Sequence, residues 1–321
     1  GTLHRVPKGP SVKIFYNDEY VAPEHSFDTT RKAAWIADAI HETGIPGVEL
    51  VDPTCFTGLA EQVIESIHDT EYVDALRNGE PEGLASSQGF VWDEGIWEMA
   101  LNSTAGVLGA VTEALASGSS AGSLSSGLHH ARAGEGSGFC TVNGLAGAAC
   151  HALGLVNGTV VVLDVDAHCG GGTHSLIGHE ERIRHLDLSV SSFDSYAAAG
   201  DNRLVLLARD AGRAGFDRRY LDELDGLLDQ IPDDTGLVVY NAGMDPHPTV
   251  SSAALTQRED RVAEWCSANS VPAAFVLAGG YTHTMGEDEL VDLHMKTIRA
   301  FSSAGPVLSD EGALTAEGAE R

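Results

Sequence analysis

The sequence predicts an α/β domain in which helices cover both faces of a parallel sheet. Short β-branched runs alternate with longer segments of helical period, which is the pattern of repeated βαβ units. The run from Val160 to Leu163 is apolar throughout, as expected for a strand buried on both faces. No repeat and no linker rich in proline or charge divides the chain. We therefore expect one domain over residues 1–321, with a frayed tail at 307–321.

The strands are predicted where short β-branched or apolar runs lie between turn residues. These runs are Val12–Tyr16, Val48–Val51, Thr159–Asp166, Ile183–Val190, Leu237–Asn241 and Ala273–Ala278. All of them are short enough to be strands and are separated by at least one longer segment or loop. Their spacing favours crossover connections between parallel strands.

The helices are predicted where apolar residues recur with helical spacing. These segments are Arg31–Glu42, Leu59–His68, Trp97–Ala116, Gly144–Leu153, Arg218–Gln230, Gln257–Ala268 and Glu287–Ser302. The segment Gly144–Leu153 is rich in alanine and glycine, which suits close packing against a sheet. The segment from Ser117 to Gly138 is rich in serine and glycine and has no predicted helix or strand. Such long segments inside a compact domain are commonly functional.

Charge and composition exclude several classes of protein. The chain carries 47 acidic and 19 basic side chains, a formal net charge of −28. General affinity for nucleic acid requires clustered lysine and arginine, so we expect no nucleic-acid partner. An acidic surface suits a cationic ligand, but it is also an ordinary solvated surface. The charge alone therefore identifies no substrate.

Membrane and disulfide-stabilised classes are also not expected. No apolar run approaches the roughly 18–20 residues that a membrane helix needs, and residues 1–10 lack the apolar core of a signal peptide. The five cysteines form no C-x-x-C pair, which argues against a disulfide framework. We therefore expect a cytoplasmic protein with no membrane partner.

Polar side chains replace apolar ones where the strand of valines ends. Asp164, Asp166 and His168 stand at i, i+2 and i+4, and alternation along a strand would place them on one face. Ligands bind at the carboxyl edge of open parallel sheets. A histidine with two carboxylates also suits a zinc ion that keeps one position open. Asp245, after a neighbouring strand, can supply the third ligand; alternatively, an aspartate before proline is a turn residue.

Two further motifs can bring polar groups to the same edge. His129 and His130 are adjacent in a glycine-rich segment, and paired imidazoles can act as general base and as charge stabiliser. Gly279, Gly280 and Tyr281 end another strand, where glycines allow a close approach of backbone to a ligand. The structural alternatives are exposed histidines and an ordinary glycine turn followed by a packed tyrosine.

Taken in order, the motifs are H-H at 129–130, G-F-C at 138–140, D-V-D-A-H at 164–168, M-D-P at 244–246 and G-G-Y at 279–281. Their order and spacing resemble the zinc-dependent histone deacetylase and acetylpolyamine amidohydrolase family over roughly residues 12–300. The resemblance implies an arginase-like α/β fold with a central, mostly parallel sheet of eight strands. It also implies one zinc ion per chain in a narrow tunnel, and removal of an acetyl or other acyl group from an amine such as acetyl-lysine or acetylpolyamine.

The resemblance further assigns roles by position. The zinc ligands would be Asp166, His168 and Asp245, and Tyr281 would donate its hydroxyl to the scissile carbonyl. His129 and His130 would be the paired catalytic histidines, with His130 the better candidate for general base. Asp164 would orient His129 and could help to bind a potassium ion. The substrate tunnel would be lined by Phe139, Tyr196, Gly279 and Gly280.

The chain departs from the family pattern in two places. Gly171 stands where relatives usually carry the aspartate or asparagine that supports the second histidine. We therefore expect a loosened His130, weak activity on ordinary amides and a preference for esters or special acyl groups, and we expect Gly171→Asp to raise amide turnover. The segment Asp187–Ala199 also lacks the usual histidine-containing pattern, which makes Tyr196 the less secure tunnel assignment.

Two other functions stay open at this point. An arginase-like ureohydrolase would use two manganese ions, for which the motifs supply too few ligands. A protein that binds the acylated amine without efficient turnover would not need Tyr281 or both histidines. The expected partner is a small-molecule or peptide substrate with an acylated amine. The sequence does not indicate the oligomeric state.

Overall fold

The fold is built on one sheet of eight parallel strands. A computed structural model describes residues 11–283 and 285–304. The strands are β1 Val12–Phe15, β2 Val48–Val51, β3 Ser120–Ser123, β4 Thr159–Asp164, β5 Ile183–Ser189, β6 Arg203–Leu206, β7 Thr235–Asn241 and β8 Ala273–Val276. Their order across the sheet is β2-β1-β3-β8-β7-β4-β5-β6, and every paired neighbour runs parallel.

Helices connect the strands on both sides of the sheet. They are α1 Asp28–Thr43, α2 Thr57–Ile67, α3 Thr70–Asn78, α4 Glu82–Ala85, α5 Gly95–Ser117, α6 Gly144–Ala152, α7 Gly171–Ile177, α8 Phe216–Leu228, α9 Ser252–Ala268 and α10 Glu287–Ser303. Short 3-10 turns lie at Asp18–Val21 and Thr54–Phe56. Within the described ranges, none of these helices is long and apolar enough to cross a membrane.

Side-chain alternation along β4 divides the core into two layers. Val161 and Leu163 pack in the cluster that contains α1, α8, α9 and α10 side chains. Val160 and Val162 pack in the other cluster, with α5 and α6. All six residues of β4 are buried, which explains why its sequence is a continuous apolar run. The predicted α/β fold with helices on both faces is confirmed, and the sheet is parallel throughout.

Elements with weak sequence signals were not predicted. Strand β3 has the sequence S-A-G-S, which lacks β-branched residues. At Gly122 the ring of Phe275 occupies the space that a side chain would need. Strand β6 lies at the edge of the sheet, and helices α3, α4 and α7 are short. The predicted tail at 307–321 lies outside the described residues.

The sheet brings the motif-bearing loops to one edge. Strands β4, β7 and β8 are neighbours, and Asp164 is in register with Asn241, which is in register with Val276. The segments that follow these three strands therefore begin side by side. The segment after β3, which contains His129 and His130, joins them from the far side of β8.

Candidate active site

Two carboxylates and one imidazole converge after strands β4 and β7. Ligand-type atoms of Asp166, His168 and Asp245 all lie within 4.8 Å of one another. Nδ1 of His168 is 3.2 Å from Oδ1 of Asp166 and 3.1 Å from Oδ2 of Asp245. Backbone amides fix both carboxylates, since His168 N donates to Asp166 Oδ1 and Ala167 N donates to Asp245 Oδ1, at 3.0 and 2.9 Å.

The donor set fits a metal ion. Oδ2 of Asp245 is buried and makes no well-aligned hydrogen bond among the described residues. The atom 3.1 Å from it, Nδ1 of His168, is itself of ligand type, and a shared cation would satisfy both. The backbone leaves room at this point: Gly279 has φ +52°, and a Cβ there would lie 2.4 Å from Asp245 Oδ1 and 2.5 Å from Asp166 Oδ2. Three protein ligands of this type with an open position match a catalytic zinc site.

Asp164 lies beside this cluster and orients a histidine. Its Oδ1 accepts hydrogen bonds from Asn241 Nδ2 at 2.8 Å and from the Asp166 amide at 3.1 Å. Its Oδ2 accepts from His129 Nδ1 at 2.8 Å. Although burial opposes it, the charges of Asp164 and Asp166 raise the pKa of His129 to about 10. The other nitrogen of His129, Nε2, lies 3.5 Å from Asp166 Oδ1.

His130 has a carboxylate partner of its own, contrary to the expectation drawn from Gly171. Its Nδ1 donates to Asp194 Oδ2 at 2.9 Å, and Asp194 comes from the loop after β5. The two histidine rings lie 3.9 Å apart between centroids. Burial and the charge of His129 lower the pKa of His130 to about 4. His130 is therefore a neutral imidazole whose Nε2 is available to accept a proton.

A second group of ligand-type atoms lies next to the first. His129, His130 and Cys140 also place such atoms within 4.8 Å of one another. Nearby carboxylates raise the pKa of His129 to about 10, which favours its imidazolium form, and burial raises the pKa of the Cys140 thiol well above its usual value. Because metals bind thiolates and free imidazole nitrogens, these residues are better suited to proton transfer than to holding a second metal.

Members of both groups line one narrow pocket: Asp166 and His168 of the first, and His129, His130 and Cys140 of the second. Its wall also contains Thr29, Gly127, Leu128, Gly138, Ala278, Gly279 and Tyr281. Burial and the charges of Asp245 and Asp166 raise the pKa of Tyr281, so its hydroxyl keeps its proton. The ring of Phe139 lies 6.2 Å from that of Tyr281 and 4.4 Å from that of Phe27.

Two of the predicted tunnel residues lie elsewhere. The Tyr196 hydroxyl bonds to Asp187 Oδ2 and His185 Nδ1, each at 3.1 Å, and its ring stacks on His174, so it is a partly buried residue that supports the site from outside the pocket. Gly280 faces helix α10, where a Cβ would lie 2.5 Å from the Leu290 side chain. The prediction of a tunnel aromatic at 196 is therefore wrong in position.

Phe193 forms the wall that was predicted for Tyr196. Its ring lies 4.9 Å from the ring of His130 and 5.8 Å from that of His168, edge-on to both. The side chain is half exposed, as expected at the mouth of a pocket. The available sequence signal was the pair Phe193-Asp194 in the loop after β5, which no motif distinguished from its neighbours.

Arg258 was also missed, and it holds the two strand ends that carry the carboxylates. This fully buried side chain of α9 donates to the carbonyl oxygens of Val165 at 3.1 Å and Gly243 at 2.7 Å. Its Nε donates to Glu259 at 2.6 Å. Val165 lies one position before Asp166, and Gly243 lies two positions before Asp245. A helical arginine gives no sequence signal for this role.

The chain matches the family model described as histone deacetylase domain over residues 25–297. It belongs to the histone deacetylase domain family. Its relatives include a probable deacetylase and an acetylpolyamine amidohydrolase, so the chain is a member of a hydrolase family. The match includes every residue of the pocket described above.

Similar proteins support the same family over most of the chain. An uncharacterized protein of Picosynechococcus is 28% identical over 301 residues, covering 89% of this chain and 97% of that protein. A probable deacetylase of Archaeoglobus fulgidus is 25% identical over 273 residues, covering 76% of this chain and 72% of that protein. The crystal structure of acetylpolyamine aminohydrolase from Burkholderia pseudomallei shares the fold, with a TM-score of 0.68 at 19% identity, covering 92% of this chain and 99% of that one.

Proposed function

We propose that this member of the histone deacetylase domain family is a zinc-dependent deacylase that hydrolyses an acylated amine. The observation that carries the proposal is the grouping of Asp166, His168 and Asp245 with His130 and Tyr281 around one pocket. Metal ligands alone would support a binding site. A neutral histidine and a protonated tyrosine beside them are the groups that amide hydrolysis needs.

Each side chain has a separate task in this mechanism. Asp166, His168 and Asp245 would hold the zinc ion, which when bound would supply Lewis acidity toward a carbonyl oxygen and a water molecule. His130 accepts the proton of the attacking water at Nε2 and gives it to the leaving amine, since its Nδ1 already donates to Asp194. Tyr281 donates its hydroxyl to the oxygen on which negative charge develops.

His129 contributes charge to the site. Its bond to Asp164 fixes Nδ1 as a donor, and the nearby carboxylates favour its imidazolium form. A fixed positive charge beside His130 discourages early protonation of His130, which keeps it able to act as a base. A potassium ion beside Asp164 stays a prediction.

The substrate class follows from the shape of the pocket. Phe139 and Phe193 present aromatic rings near its mouth, and aromatic faces suit the methylene chain of an acylated lysine or polyamine. The acylated amine would reach the ligand cluster at the base through this narrow opening. The activities named for two similar proteins, deacetylase and acetylpolyamine aminohydrolase, fall within this class.

The experiment joins metal content with turnover on three substrates. Purified protein is assayed for zinc and for acetate release from an acetyl-lysine peptide, an acetylated diamine and an aryl acetate, with and without chelator. We expect about one zinc per chain and chelator-sensitive release from at least one of them. Bound zinc with no release from any of them would indicate a binding protein, and two manganese ions with urea release would indicate a ureohydrolase.

A further inference from the structure

The carboxylate that supports His130 comes from a loop with no motif. Asp194 lies after β5, and its Oδ2 accepts hydrogen bonds from His130 Nδ1 at 2.9 Å and from the Gly172 amide at 3.0 Å. Its Oδ1 accepts from Arg132 Nη2 at 2.5 Å. Both carboxylate oxygens are thus engaged, and the side chain is largely buried, with 8% of it exposed.

Gly171 provides the space for this carboxylate. A Cβ at position 171 would lie 2.3 Å from the Asp194 carbonyl oxygen and 2.5 Å from its Oδ1. Real side chains do not approach this closely, so a residue larger than glycine would displace Asp194. The missing side chain at 171 and the carboxylate at 194 are therefore two parts of one arrangement.

The backbone of Asp194 is held in an unusual conformation. Its φ is +58°, in the left-handed region that costs a residue other than glycine about 1 kcal/mol or more. Aspartate tolerates this region better than most residues. The loop is anchored by the Cys169 amide, which donates to the Phe193 carbonyl oxygen at 3.1 Å. Such a conformation persists where surrounding contacts fix it, and here those contacts aim the carboxylate at His130.

We propose that Asp194 is the positioning residue of His130 and takes the role expected of a side chain at position 171. This inference rests on the proposed function, in which His130 transfers the proton. The bond to Asp194 fixes Nδ1 as the donor and leaves Nε2 directed to the reaction. Arg132 holds the carboxylate in place by pairing with its second oxygen.

The loop that carries Asp194 also carries an aromatic residue beside the pocket. Phe193, next to Asp194, packs edge-on against His130. The residue that we expect to contact the substrate chain and the residue that orients the base are therefore consecutive. Loss of the carboxylate alone should impair the proton-transfer step, whereas loss of the Phe193 ring should impair binding.

The first test replaces the carboxylate and keeps its shape. Asp194→Asn should lower kcat by about 100-fold or more, as loss of a carboxylate that orients a catalytic histidine does elsewhere, with KM and zinc content near those of the wild type. The matched control is Asp210→Asn, because Asp210 is also an aspartate paired with arginines, Arg213 and Arg219, but lies away from the pocket. It should retain wild-type kcat.

The second test uses the glycine. Gly171→Ala should lower kcat in the same way, since the added methyl group collides with Asp194. Gly226→Ala is its control, because Gly226 is also helical and a Cβ there meets nothing within 4 Å. Wild-type kcat in Gly171→Ala would overturn the proposal.

A third readout does not depend on turnover. Long-range ¹⁵N–¹H spectra of histidine-labelled, zinc-free protein report which ring nitrogen carries the proton. His130 should be the Nδ1–H form in the wild type and in Asp210→Asn, and should lose that form in Asp194→Ala. An unchanged tautomer in Asp194→Ala would overturn the proposal even if the wild type hydrolysed no substrate. If the tautomer changes and no substrate is hydrolysed, the proposed function fails and the positioning role stands.

Discussion

Nζ of Lys32 donates a 2.8 Å hydrogen bond to Oγ of Ser126, beside Thr29 of the pocket wall. The side chain is fully buried, and its second strong acceptor is the Thr29 carbonyl oxygen at 2.7 Å. Burial lowers the pKa of Lys32 from 10.5 to about 7, against the attraction of Asp245 and Asp166. No carboxylate of the described residues forms an ion pair with this amine, which is thus poised between its charged and neutral forms.

This lysine should make stability depend on pH. Between pH 7 and 10.5 the unfolded chain binds the Lys32 proton while the native chain has released it, so Lys32 adds stability as pH rises, by up to about 1.4 kcal/mol per pH unit. His129 acts in the opposite direction over the same range, because its pKa is raised to about 10, so the Lys32 contribution is measured against a variant. Urea unfolding of zinc-free protein at about pH 7 and about pH 9 gives the change in stability between the two pH values. Lys32→Met should lower that change by the Lys32 contribution, whereas Lys296→Met, at a partly buried site, should leave it as in the wild type.

Loss of the tyrosine hydroxyl should separate turnover from metal binding. Tyr281→Phe should lower kcat by about 100- to 1,000-fold, because one donor to the developing negative charge is removed. Zinc content should stay at the wild-type value. Tyr16→Phe is the control, since the Tyr16 hydroxyl contacts Asp18 at the surface. Equal kcat in Tyr281→Phe and wild type would remove Tyr281 from the mechanism.

Removal of the Arg258 guanidinium should destabilise the protein and weaken the metal site together. Arg258→Met should lower the free energy of unfolding by about 3–5 kcal/mol, since it leaves the buried Glu259 unpaired. Zinc affinity should also fall, because the carbonyls of Val165 and Gly243 lose their donor. Calorimetry with and without zinc tests both. Arg261→Met, which removes a partly exposed pair with Asp225, should cost under about 1 kcal/mol.

A methyl group at position 279 should damage the ligand cluster directly. Gly279→Ala places a Cβ against the carboxylates of Asp245 and Asp166 in a left-handed backbone conformation, so we expect zinc content to fall severalfold. Gly286→Ala adds the same group where nothing lies within 4 Å and should leave zinc content unchanged. Zinc analysis after gel filtration distinguishes the two variants. Full zinc occupancy in Gly279→Ala would contradict the conclusion that only a glycine leaves room for the two carboxylates at this position.

Much of the site was predictable because parallel strands end at a common edge. Buried strands precede Asp166, His168 and Asp245. The apolar runs of these strands therefore indicated that the three side chains lie at the same edge of the sheet. The bond between Asp164 and His129 was inferred from the family resemblance. Their roles in catalysis remain proposals.

What was missed depends on loops and on small residues. Asp194 and Phe193 reach the pocket through a loop with a left-handed residue, and nothing in the local sequence indicates where that loop turns. Because the sequence did not indicate Asp194 as a partner of His130, we expected Gly171 to leave His130 unsupported. The expectation of weak amide hydrolysis followed from that assumption. Strand β3 was missed because its small residues make room for Phe275.

The adjacency of Phe193 and Asp194 has a consequence for the engineering of this chain. A change of length in the loop after β5 would move both the ring that packs against His130 and the carboxylate that orients it. We therefore expect specificity to be altered more readily at Phe27 and Phe139, whose rings contact each other, because substitutions there leave the bond between Asp194 and His130 in place.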